Sequence, residues 1–134
     1  ELGMAPFIML ALSGYLRPGE GMGLRQADLI GPAPGVTTTW SLIVCPQERG
    51  VATKTGSFDD SVAMDTKWLP CLPQLLEALK KDDSQSSLWN FAYPDFLALF
   101  RGAAAVLGLK GLVPYQLRHS GPSIDRSRGC RTQE

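Results

Sequence analysis

Ser13-Gly14-Tyr15-Leu16-Arg17-Pro18-Gly19-Glu20, running on into Gly23-Leu24-Arg25-Gln26-Ala27-Asp28-Leu29, is the stretch on which the fold turns. Before it, Pro6 to Leu16 is apolar and rich in good helix formers, with Gly14 near its end, which predicts a buried helix. Arg17-Pro18-Gly19-Glu20 restarts a helix. Proline costs nothing at a first helical position, and a glutamate suits the positive end of the helix. This second helix is expected to carry Leu24, Arg25 and Leu29 and to close before Gly31-Pro32-Ala33-Pro34-Gly35, which cannot be regular structure.

Working outward, Val36–Cys45 holds Thr37, Thr38, Thr39, Trp40, Ile43 and Val44, an enrichment that predicts a strand. Pro46–Gly50 reads as a turn. Val51–Thr55 and Ser61–Met64 read as two further short strands, joined by the turn Gly56-Ser57-Phe58-Asp59-Asp60. Helical character returns at Pro73–Lys81, where Leu75, Leu76 and Leu79 share a face. After the polar loop Asp82–Ser87 comes a helix from Pro94 to about Leu107, stopped by Gly108. A last helix starts after Pro114, around Tyr115–His119. The polar run Asp125–Arg131 reads as neither helix nor strand. The expected fold is α+β, mainly helical with a small antiparallel β-sheet.

The composition, 44% apolar and 19% charged over 134 residues, fits one globular domain. The chain starts without an initiator methionine and ends in a polar run, so it reads as an internal piece truncated at both ends. Met4 to Leu12 is too short to span a bilayer and lacks the flanks of a signal peptide. Cys45, Cys71 and Cys130 are odd in number and form no C-x-x-C pair, which points away from disulfides and zinc and toward a reducing intracellular setting. The net charge is zero but unevenly placed. Residues 1–100 hold 7 Lys/Arg against 11 Asp/Glu, a net −4, and residues 101–134 hold 6 against 2, a net +4. A basic C-terminal quarter is compatible with a phosphate-facing surface.

Three basic residues stand out for chemistry. Arg17 sits at a helix boundary, Arg118 on the first turn of a helix, and Lys54 at a strand end beside a hairpin turn. Each has a plain structural reading: Arg17 pairing with Glu20, Arg118 exposed above an inward Leu117, and Lys54 simply solvated. The glycines of Gly19-x-Gly21-x-Gly23 follow a helix and lack a following Gly-Lys, so they do not read as a nucleotide loop.

In order and context these segments resemble the catalytic domain of tyrosine recombinases, the phage-integrase-like DNA strand-exchange enzymes. The Gly-x-Leu-Arg-x-x-Glu-like segment at Gly14–Glu20, with Leu24 and Asp28 after it, resembles the family's first box. Lys54-Thr55-Gly56 leading to Ser61-Val62-Ala63-Met64 resembles its lysine-bearing hairpin, and Tyr115-Gln116-Leu117-Arg118-His119-Ser120 resembles its His-x-Leu-Arg-His box. The resemblance implies DNA recombination or integration: a tyrosine attacks a scissile phosphate, forms a phosphotyrosine link and frees a 5′-hydroxyl, and the step is later reversed. Two guanidiniums would stabilise the added negative charge, and a lysine would protonate the leaving oxygen. Carried over, Arg17 and Arg118 are the phosphate clamp, Lys54 the general acid, and all three contact DNA. Glu20 supports Arg17 structurally, and His119 takes a structural position. Tyr115 stands where the family has histidine; a phenol donates to phosphate but is no base near neutrality.

The resemblance further implies double-stranded DNA as partner, self-assembly on it by the parent protein, no metal or other cofactor, no membrane, and a location with the genome, nuclear or bacterial-cytoplasmic. The nucleophilic tyrosine is expected beyond Glu134, leaving this piece inactive alone. Two other readings compete: a mobile-element remnant that binds DNA without chemistry, and a non-enzymatic helical interaction domain. The recombinase reading requires Arg17 and Arg118 to reach one phosphate-sized site.

Overall fold

A computed structural model of the chain describes residues 4–44 and 60–129. In chain order these form α1 (Met4–Gly14), α2 (Pro18–Met22), a 3-10 turn (Gln26–Asp28), β1 (Leu29–Ile30), β2 (Ser41–Val44), β3 (Asp60–Ala63), α3 (Leu72–Leu79), α4 (Tyr93–Val106) and α5 (Gln116–Ser127). The result is a mixed helical and sheet fold, about half helical, with a three-stranded antiparallel sheet. The chain divides into two units, Glu1–Met22 with Trp89–Glu134, and Gly23–Leu88.

Among its described residues the first unit holds helices α1, α2, α4 and α5 and is built on aromatic residues. Phe7 of α1 lies edge-on to Trp89 at 5.2 Å and against Phe96 of α4 at 4.5 Å, and Phe96 meets Phe100 at 5.6 Å. Such pairs add roughly 0.5–1.5 kcal/mol each beyond area burial. The buried Trp89 indole donates to the Gly21 carbonyl at 2.7 Å, so α2 is pinned to this cluster without an orphaned donor. Helix α5 packs its Leu117, Gly121 and Asp125 face inward against α1, a spacing of one turn per step.

The second unit holds the sheet, in the order β1-β2-β3. Leu42 of β2 faces Leu29 on one side and Val62 on the other. Leu42 and Val44 are buried while Ser41 and Ile43 are half-buried, the period-two pattern of a strand covered on one face. Its core continues through Met64, Leu72 and Leu76. The Gln26 side chain closes the far end: its amide donates to the Leu79 carbonyl at 3.0 Å and its oxygen accepts the Lys81 N–H at 2.8 Å, capping the end of α3.

Four expectations need correction. Helix α2 stops at Met22 rather than carrying Leu24, Arg25 and Leu29. Three glycines in five residues weaken helix propagation, and Arg25 instead bridges Ser87 in extended form while Leu29 enters β1. The strand expected from Val36 begins at Ser41, because Val36 and Thr37 both donate to the Ala33 carbonyl and the Thr37 hydroxyl accepts the Thr39 N–H. The strand expected at Ser61–Met64 is displaced by one residue, to Asp60–Ala63. Finally, α5 runs through Pro122 to Ser127 and so enters the polar run from Asp125, where no helix was expected. An interior proline costs ~3 kcal/mol, and the buried face on both sides of it offsets that. The turn at 46–50, the strand at 51–55 and the turn leading to Asp60 lie outside the described residues.

Candidate functional site

The site is built at the corner between α1 and α2. Helix α1 ends with Tyr15 in the left-handed region, φ 54°, and the Leu16 N–H returns to the Ala11 carbonyl at 3.0 Å. This is the six-to-one bond of a Schellman helix end, whose left-handed position normally takes glycine. Gly14 comes one residue too early to fill it, so the chain holds a tyrosine there at a strain of roughly 1–2 kcal/mol. Leu16 then buries, at 2% exposure, and Arg17 emerges as the N-cap of α2.

Glu20 is the third residue of α2, and its Oε2 accepts the Arg17 N–H at 2.7 Å. This is the returning half of a capping box, and it gives the Arg-x-x-Glu spacing a mechanical reason. The same carboxylate gathers two guanidiniums. Arg17 Nη1 lies 4.0 Å from Oε1, and Arg118 Nη1, from the first turn of α5, lies 3.7 Å from Oε2. Two arginines 101 residues apart in sequence therefore meet at one acid. The side chains of Arg17 and Arg118 stay 30% and 33% exposed while Glu20 is 16% exposed, so the acid is more covered than the two cations it gathers. Partly exposed pairs of this kind contribute only ~0–1 kcal/mol each. The effect of Glu20 is positional: it holds two like charges together and leaves a net charge of +1 facing solvent.

Arg118 has a second anchor. Its Nη1 donates to the Tyr15 main-chain carbonyl at 3.3 Å, and the Tyr15 hydroxyl donates to the Asp125 carboxylate, buried to 1% on α5. Gly121 lies between Arg118 and Asp125 on the same face, and a Cβ there would stand 2.0 Å from the Leu12 carbonyl oxygen. Only glycine lets the two helices approach this closely.

Of the residues expected from sequence to form the site, Arg17 and Arg118 are brought together, with Glu20 between them. Tyr115 is exposed at the N-cap of α5, with its ring edge-on to His119 at 5.3 Å. Lys54 lies outside the described residues. Sequence reading missed Tyr15, Gly121 and Asp125; the signal that could have found the last two is the Leu117, Gly121, Asp125 spacing, which puts all three on one helix face. The triple glycine lies within and just after α2, and among the described residues it is preceded by helix α1 rather than a strand, which does not fit a phosphate loop of the nucleotide-binding kind. Among the described residues no group of three or more His, Cys, Asp or Glu could hold a metal ion, and no helix is long and apolar enough to cross a membrane. Comparison with protein-family models, curated proteins and solved structures finds no match to this chain.

Proposed function

We propose that this chain is part of a DNA strand-exchange enzyme of the tyrosine recombinase kind, and that Arg17 and Arg118 clamp the scissile phosphate of double-stranded DNA. The observation that carries this reading is the meeting of the two guanidiniums at Glu20, each about a third exposed. A phosphodiester oxygen pair matches the planar donors of arginine, which stay charged at any working pH. In the displacement the tyrosine oxygen bonds to phosphorus, the bond from phosphorus to the 5′-oxygen breaks, and negative charge grows on the oxygens the arginines would hold. Fixed donors of this type are worth roughly 2.7–4 kcal/mol each in comparable oxyanion sites. Lys54 is the proposed donor of the proton to the leaving 5′-oxygen, and Tyr115 a further donor to phosphate. None of Arg17, Lys54, Arg118 and Tyr115 is assigned as the nucleophile. Assembly on DNA and a location with the genome follow as parts of the same proposal.

The test is trapping. The full-length parent is incubated with nicked duplexes and denatured, and covalent protein–DNA adducts are resolved by gel. An adduct that disappears in Arg17→Ala and Arg118→Ala supports the reading. Duplex binding without an adduct in the intact parent points instead to a remnant without chemistry, and absence of both discards the proposal.

A further inference from the structure

We propose that Tyr15 and Asp125 form a positioning pair that sets where the Arg118 guanidinium sits, by fastening the strained end of α1 to α5 at two points two turns apart. Arg118 and Asp125 are seven residues apart in one helix, so they project from the same face. Tyr15 engages both: its carbonyl accepts from Arg118 Nη1 at 3.3 Å, and its hydroxyl donates to the buried Asp125 carboxylate. Between them Gly121 lets α5 press onto α1, with its virtual Cβ 2.8 Å from the Tyr15 ring.

The choice of residue at 15 is informative. A left-handed helix end is easiest with glycine, and glycine has no phenol. The tyrosine is kept in a conformation that L side chains rarely adopt, which is the pattern expected where geometry serves a site rather than the helix end. The Tyr15 carbonyl, two residues before Arg17, can hold Arg118 only while Tyr15 keeps that backbone conformation, and the hydroxyl bond to Asp125 fixes it. The pair thus sets the separation of the two guanidiniums before any anion arrives. Its geometry stands independently of the phosphate reading; its consequence for binding rests on that reading.

The experiment uses the 134-residue chain with two readouts. Side-chain ¹⁵N spectra report whether the Arg118 Nη groups are individually resolved, as restrained rotation requires, or averaged. Affinity for a short duplex at low salt reports phosphate binding. In the wild type the Arg118 signals are expected resolved. In Tyr15→Phe and Asp125→Leu they are expected to average, with duplex affinity falling about tenfold, the scale of one charge-assisted contact. Asp125→Asn keeps an acceptor oxygen for the phenol and is expected to retain resolved signals and most of the affinity. Averaged Arg118 signals in the wild type overturn the proposal. So does either disrupting variant, if it folds and keeps both readouts unchanged. A wild type with resolved signals that average in Tyr15→Phe, but with no duplex binding, supports the positioning pair and overturns the phosphate clamp.

Discussion

Replacing Gly121 by alanine puts the contact between α1 and α5 under direct test. Real Cβ atoms essentially never come closer than 3.0 Å to such a neighbour, and 2.0 Å is available to the Leu12 carbonyl oxygen, so the helices must separate by about 1 Å. The obstacle is backbone, which has no rotamer to yield. Overpacking of this severity costs roughly 1–3 kcal/mol, occasionally more, against a helix-propensity gain of up to ~1 kcal/mol for Gly→Ala. The net expectation is a loss of about 1–2 kcal/mol, or roughly 3–8 °C in Tm at this chain length. Gly102→Ala on α4 is the internal control, because nothing lies within 4 Å of its virtual Cβ. It gains the propensity term and meets no obstacle, so it is expected to match or exceed wild-type stability. The assay is urea unfolding of both variants beside the wild type, followed by circular dichroism. A Gly121→Ala protein as stable as Gly102→Ala would refute the close approach.

Two further substitutions read the capping and loop hydrogen bonds. Glu20→Ala removes the acceptor for the Arg17 N–H and is expected to cost about 1 kcal/mol, while Glu20→Gln keeps an acceptor oxygen and is expected to cost less than half as much, both read by urea midpoint. The Asp82 carboxyl is held below its ordinary value by a hydrogen bond from the Ser84 hydroxyl and another from the Ser84 N–H. A lowered folded-state value means this bond helps most above the carboxylate range and fades as pH falls through it. The difference in urea midpoint between wild type and Asp82→Ala is therefore expected to be small at pH 7 and to vanish in acid; a difference that grows on acidification would contradict the assignment.

Periodicity made α3 and α4 readable from sequence, because Leu75, Leu76 and Leu79, or Phe96, Phe100 and Ala104, repeat at helical spacing, while α1 was readable as a run of apolar residues and good helix formers. The strand β1 was not readable, since two residues carry no period and Leu29 takes its state from pairing with Leu42. Helix α5 was cut short in the reading because Pro122 and a polar tail hide a buried face made of one leucine, one glycine and one aspartate. In the site, Arg17 and Glu20 were legible because a capping interaction is local and leaves a fixed spacing. Their convergence with Arg118 was legible only through the resemblance. Tyr15 and Asp125 were not legible at all: their bond spans 110 positions, and nothing in a lone tyrosine announces a left-handed backbone.

The most direct measurement is a double-mutant cycle on Arg17 and Arg118, with duplex affinity of the chain determined over a range of salt concentrations. If both guanidiniums hold one phosphate, the double alanine variant lowers the salt slope by about 1 and each single variant lowers it by less. Losing both arginines should then cost less than the sum of the single losses, with a coupling of roughly 0.5–3 kcal/mol. Strictly additive losses, or affinities that ignore both substitutions, would mean that the two side chains share Glu20 and nothing else.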